Sequence, residues 1–390
     1  MGHHLPEELA GIVGDPHPRV YAAVVLVFLV LALAFGSILP AAPGRVAFVR
    51  NGKLRILYLA TGEENVVQEH APHGPVAFSG NGKLASAGGQ VAGGPSLPAG
   101  SLAWSPTGET AAYTTRSGAV VLWTPLRHRT IVPAAWGATS LAWGPGGQLA
   151  LGRSDCRVPC GVPLHQEVWI WRAGSFRRVA GPLKGVQRPI VTGFSPDGRV
   201  LWWSDLEGSA SIAADGLPLY ANRTRLAVTL PYPDFVASCG AHLVISAGID
   251  RYAMHGKRLL LDGREVSRDS KRSWVEPACS ADGQTLVAAA SRNAVPNRIG
   301  NEHRAIWQLL PTRRQLTRPP LGATDEDPRL LANGSLIFVR TRKLETRLSL
   351  YGRGTLMLLR DGKLTRLADV GRTGNYYGHY GWRGQIALWL

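Results

Sequence analysis

Downstream of Val46 the sequence has no convincing helical periodicity, which leaves the all-β architectures. Charge is sparse, at 18% of residues against 45% hydrophobic, so a sizeable core can be buried and global disorder is excluded. No Gly-x-Ser-x-Gly elbow occurs, and no α/β-hydrolase domain follows the strand-rich region, so a serine triad has little support. No Gly-rich phosphate loop follows a strand and opens a helix, and no cofactor signature is present. His128, His165, His242, His255, His303 and His379 share no spacing. Cysteine is limited to 4 residues. Cys156 and Cys160 have no second close Cys or His pair beside them, which argues against a four-ligand zinc site.

Gly (46) and Pro (27) are abundant without a period of three, so they mark turns rather than a collagen helix. The formal charge of +16 would suit nucleic acid, anionic lipid or an anionic cell-wall polymer. Yet Lys and Arg are scattered, the tightest groups being Lys271-Arg272, Arg313-Arg314 and Arg340/Arg342/Lys343. With no recognition helix, zinc finger or RNP-like strand, this reads as a solvated basic surface and not as specific nucleic-acid binding.

Residues 20–39 carry no charge. Twenty apolar residues in a helix span about 30 Å, the thickness of a bilayer core. A cleaved signal peptide is the rival reading, with small residues at Ala34 and Gly36, but Glu7, Glu8 and Asp15 are atypical of its leading region. The expectation is one membrane helix with the large domain outside the cytoplasm. Arg45, Arg50, Lys53 and Arg55 on the C-terminal flank oppose that orientation, although long domains translocate largely regardless of charge.

The strand-like region repeats. One motif is an apolar stretch, an aromatic and a turn ending in Gly, then another apolar run: residues 76–86, 102–113, 141–151, 192–203, 278–289 and 329–339, with degenerate copies at 237–246 and 379–390. Pro, Asp or Asn, and Gly are the residues such turns require, so each copy predicts a β-hairpin. A second hairpin follows most copies, at 54–67, 119–132, 167–180, 305–317 and 355–368. Two hairpins recurring about every 40 to 50 residues make the four-stranded blade of a β-propeller. The Ser-Pro-Asp-Gly turn at 195–198, with variants at 105–108 and 280–283, resembles the TolB-like, WD40-like repeat. The resemblance covers about 46–390 and implies a propeller while saying almost nothing of activity. The Gly-His and Trp-Asp signature of WD repeats is absent, and so is the domain that precedes the propeller in TolB.

The expected organisation is a tail (1–19), a membrane helix (20–39), a linker (40–45) and an all-β propeller (46–390). Seven blades is the best estimate, with six and eight open. The chain begins on outer strands and ends on inner ones, each leaving a raw sheet edge, which is costly. The C-terminal strands around 385–390 are therefore expected to complete a blade with 46–59.

Aligning the repeats places Ser101, Ser140, Val191, Val236, Glu276, Asp327 and Tyr377 at one position, expected to begin each inner strand near a mouth of the channel. Ser101, Ser140, Glu276, Asp327 and Tyr377 are the candidate ligand-binding set. Glu276-Pro277 and Asp327-Pro328 align, and two carboxylates on adjacent blades could bind a cation or an amine, or act as acid and base. The alternative is solvated loop acids, with Asp325-Glu326-Asp327 as an exposed turn. Cys156 and Cys160 are expected to form a local disulfide. Cys239 and Cys279 take the position of Trp104, Trp143 and Phe194, and read as two buried thiols, with a bond between neighbouring strands as the alternative. The function expected is a non-catalytic, membrane-tethered scaffold for a protein or cell-envelope polymer, the alternative being a propeller hydrolase or lyase.

Overall fold

The computed structural model describes residues 44–72, 74–97, 101–154, 165–183, 188–205, 216–293, 303–346 and 349–390, excluding the side chains of 344–350. Among them the strands form eight antiparallel sheets, one more than the best estimate from sequence. Blade 1 joins Arg45–Arg50, Lys53–Tyr58 and Glu64–Gln68 to the C-terminal strand Ile386–Trp389. Blade 2 is Val76–Phe78, Ala85–Ala87 and Gln90–Val91; this short repeat is a three-stranded blade of its own, hence the difference in count. Blades 3 to 8 have four strands each, and their innermost strands are Ser101–Trp104, Ala138–Trp143, Arg188–Phe194, Val236–Cys239, Arg272–Cys279 and Ala323–Leu330.

The repeat turn works as its residues require. Ser195 N–H donates to Arg199 O at 2.8 Å, and Gly198 N–H to Ser195 O at 2.9 Å. Gly283 holds the equivalent corner at φ 74°, where an added Cβ would meet the carbonyl of Cys239 on the neighbouring blade. The apolar residues of the strands meet between blades. Val168 and Ile170 of blade 4 pack on Val200 and Trp202 of blade 5, and Leu201 and Trp203 on Leu243 and Ile245 of blade 6. The core is thus a series of layers between neighbouring sheets, which suits a repeat whose units cannot bury their faces alone.

Closure is of the kind expected. Trp389 pairs with Arg45, Leu388 with Val46, Ala387 with Ala47 and Ile386 with Phe48. The division is three strands from one end and one from the other, where two and two were expected. The same strand reaches blade 2: Trp389 Nε1 donates to Gly80 O at 3.3 Å, and the Trp389 ring occupies the space a Cβ on Gly82 would need. The Arg45 guanidinium lies 4.4 Å from the Trp389 ring centroid.

Cys239 and Cys279 are bonded, contrary to the expectation of two thiols. The equivalent positions of adjacent inner strands stand 5.1 Å apart at Cα, within disulfide range. Closing a loop of 40 residues stabilises by about 4 kcal/mol through the unfolded chain. Cys156 and Cys160 lie outside the described residues, as do residues 20–39. Among the described residues no helix is long and apolar enough to cross a membrane.

Candidate functional site: a buried charge network

Glu276 and Asp327 do come together, although neither begins its strand. Each sits inside a long inner strand at a shift of register, and each has a left-handed backbone (φ 54° and 48°), as does Tyr377 (φ 50°). A bulge of this kind re-aims a side chain that a regular strand would send elsewhere. Glu276 Oε2 accepts the backbone N–H of Asp327 at 2.7 Å, joining blade 7 to blade 8. Both side chains are 2% exposed, so the solvated-loop reading does not hold. Nor are Asp325 and Glu326 an exposed turn: both are fully buried. Arg340 grips Asp325 with two bonds, 2.7 Å from Nε to Oδ1 and 2.9 Å from Nη2 to Oδ2. Arg304, also fully buried, pairs through Nη1 with Glu326.

The remaining members come from distant parts of the chain. The segment 375–385 leaves blade 8, touches the loops of blades 6 and 7, and returns as the closing strand. Its His379 Nε2 donates to Oδ2 of Asp234, just before blade 6, at 2.8 Å, and lies 3.7 Å from Glu276 Oε1. Tyr232 stacks on the His379 ring with centroids 4.1 Å apart. Arg304 Nη2 donates to the Gly378 carbonyl, Ala253 N–H to Tyr377 O at 2.9 Å, and Trp382 Nε1 to Thr341 Oγ1 at 2.8 Å. Arg329 Nη2 donates to Ile386 O at 2.9 Å, at the start of the closing strand.

The other candidates lie elsewhere. Ser140 is buried, donates to Pro189 O at 3.1 Å and accepts Val191 N–H at 2.9 Å, which stitches blade 4 to blade 5. Ser101 N–H donates to Thr114 Oγ1 within blade 3 at 2.8 Å. Of the aligned set only Ser101 and Val236 begin inner strands. Tyr377 contributes its carbonyl to the network while its ring packs edge-on to Tyr252, 5.5 Å away.

Asp234, Glu276 and His379 offer one ligand atom each within 4.8 Å, a donor set that could hold a cation. Their surroundings favour ion pairing. With His379 protonated, the carboxylates of Asp234, Glu276, Asp325, Glu326 and Asp327 face five cations: His379, Arg304, Arg329, Arg340 and Arg383. A divalent ion would add charge to a set that already balances. Burial, then repulsion from Asp234, pushes the Glu276 carboxyl up to about 6. Burial alone would lower His379, but Asp234 and then Glu276 outweigh it and hold the imidazole above its ordinary value. Burial alone would raise Asp234, and His379 holds it below the usual carboxylate range.

These shifts fix the sign of a pH dependence. His379 is raised, so its contribution is complete below its ordinary 6.5 and is lost as pH rises through the folded value. Glu276, raised from 4.5 to about 6, also weakens the fold as pH rises across that interval. Asp234, lowered, loses its contribution only as pH falls below 3.8. His379→Gln should therefore melt well below the wild type in mild acid, by ~3 kcal/mol. The gap should narrow as pH rises above 6.5. Thermal melts of both proteins across pH check this; a gap that widens toward alkaline pH contradicts it.

Among the described residues, cavities border blades 1, 6, 7 and 8 whose linings include none of Asp234, Glu276 and His379. One, of about 360 Å³, lies in the central channel against the inner strands of blades 6, 7 and 8 and the closing strand. A groove of about 870 Å³ runs between blades 7 and 8 at the Ser280–Asp282 turn end and includes Leu390.

No family model and no curated protein matches this chain. Solved structures do. A TolB-type protein from Agrobacterium tumefaciens is 14% identical, covering 89% of this chain and 97% of its own, with a TM-score of 0.36. The propeller domain of the trilobed protease from Pyrococcus furiosus is 10% identical, over 84% and 93%, with a TM-score of 0.40. Dipeptidyl peptidase 4 from Porphyromonas gingivalis is 10% identical over 82% of this chain and 49% of its own, with a TM-score of 0.45; this chain spans about half that enzyme's length. The likeness is one of architecture at low identity.

Proposed function

We propose that the protein is a non-catalytic binding scaffold, tethered to a membrane through residues 20–39, with its propeller outside the cytoplasm and a protein or cell-envelope polymer as partner. One observation carries the choice of scaffold over enzyme. The buried acids Asp234, Glu276 and Asp327 are each 1 to 2% exposed, and each is held by a partner from another part of the ring. An acid–base pair must reach its substrate directly or through one water. Here the carboxylates join blades 6, 7 and 8 to the C-terminal segment and face one another.

The rival reading is a propeller hydrolase or lyase, and it makes a different prediction for Glu276→Gln. On the scaffold reading the wild type turns over no chromogenic ester, peptide anilide or aryl glycoside, and Glu276→Gln changes only the melting temperature. Wild-type turnover that Glu276→Gln abolishes, with an unchanged circular dichroism spectrum, would establish the enzyme instead.

A further inference from the structure

The channel cavity borders the buried network and shares two of its cations. Small residues, among them Ala237, Ser238 and Ala278, form much of its wall, and its only charged lining residues are Arg329 and Arg383. Both guanidiniums turn to one carboxylate. Arg329 donates to Asp327 Oδ2 from Nε at 3.0 Å and from Nη2 at 2.5 Å. Arg383 Nε lies 3.1 Å from Asp327 Oδ1, and against burial Asp327, Asp234 and Glu276 together hold its guanidinium above its ordinary value. Its side chain is 35% exposed, against 12% for Arg329.

Arg329 is lowered by burial, with Arg383 among the charges that oppose its protonation. A guanidinium is a planar fork of five N–H donors matched to carboxylate or phosphate oxygens. The fork of Arg383 borders a cavity large enough for such a group, with the Ser238 hydroxyl on the same wall. We infer that the central channel binds an oxyanion, a phosphate or carboxylate group of the ligand, on the fork of Arg383 with Arg329 behind it. This deepens the scaffold reading and rests on it, since it names what the channel of that scaffold recognises.

The test uses the full chain in detergent micelles, titrated with inorganic phosphate or with succinate against sodium chloride of equal ionic strength. The expected result is a saturable rise in melting temperature, of about 4 °C when the anion is in hundred-fold excess over Kd. A response to phosphate alone assigns a phosphoryl ligand, a response to succinate alone a carboxylate, and a response to both the shared oxyanion chemistry. Arg383→Met should lose the rise. Because Arg383 also touches Asp327, Ser238→Asp is the second variant: it leaves both arginines in place and puts a competing carboxylate in the cavity. It should fold as the wild type does and lose the response. No saturable response to either probe, or one that survives Ser238→Asp, overturns the inference. Neither outcome bears on the scaffold reading, which the turnover assay on Glu276→Gln decides separately.

Discussion

A chain truncated before Ile386 should melt at least about 10 °C below the full protein, or fail to fold. The four residues Ile386–Trp389 are the innermost strand of blade 1. Their loss exposes the hydrogen-bonding edge of Arg45–Arg50 to the channel and uncovers Val46 and Phe48, both fully buried. It also removes the Trp389 contacts with blade 2 and the Ile386 carbonyl that Arg329 bonds. The effect should exceed that of removing any other edge strand, because closure ties together the two ends of the ring. Thermal melting by circular dichroism measures it. A truncated protein that melts like the full one would mean that the ring holds without its last strand.

Arg304→Met should cost about 3 to 5 kcal/mol. Arg304 is fully buried, and its removal takes the paired guanidinium from the fully buried Glu326 carboxylate. The Gly378 carbonyl loses its guanidinium donor as well. The cost should come from the lost ion pair and not from lost packing. The double variant Arg304→Met/Glu326→Leu should accordingly recover most of the stability, and denaturant melts of both proteins give the comparison. If the double variant is as unstable as the single one, the lost ion pair is not the cause.

The propeller was legible because its turns are chemical statements. Ser195 and Ser280 make the bonds their motif implies, and Gly198 and Gly283 take the positive φ. Eight copies of the first hairpin stand in the sequence, but the blade at 76–91 lacks a full second hairpin, so its independence was not evident. Alignment of the repeats also found Glu276 and Asp327. It could not show that their positions are bulged, and so it placed them at the start of their strands near a mouth of the channel when both lie buried inside longer strands. Asp234 and His379 are 145 residues apart in sequence. Their meeting depends on the path of 375–385 back across blades 6 and 7, which no local pattern encodes. The one local signal was that His379 lies two residues beyond Tyr377 in the aligned copy. The Cys239–Cys279 bond was foreseeable from their shared repeat position, since equivalent positions of adjacent inner strands are close in space.

On the scaffold reading the buried charges are a latch that holds the C-terminal segment in place, not reactive groups awaiting a substrate. Amide hydrogen exchange on Arg304→Met beside the wild type tests that most directly. Arg304 touches the segment at Gly378, and Arg329 touches the strand that follows at Ile386. The latch predicts that exchange in 375–389 quickens about 100-fold, equivalent to ~3 kcal/mol of local opening. The strands Ala111–Thr114 and Leu149–Ser154, on blades 3 and 4, should stay protected. Unchanged protection of 375–389, or an equal loss around the whole ring, would contradict it.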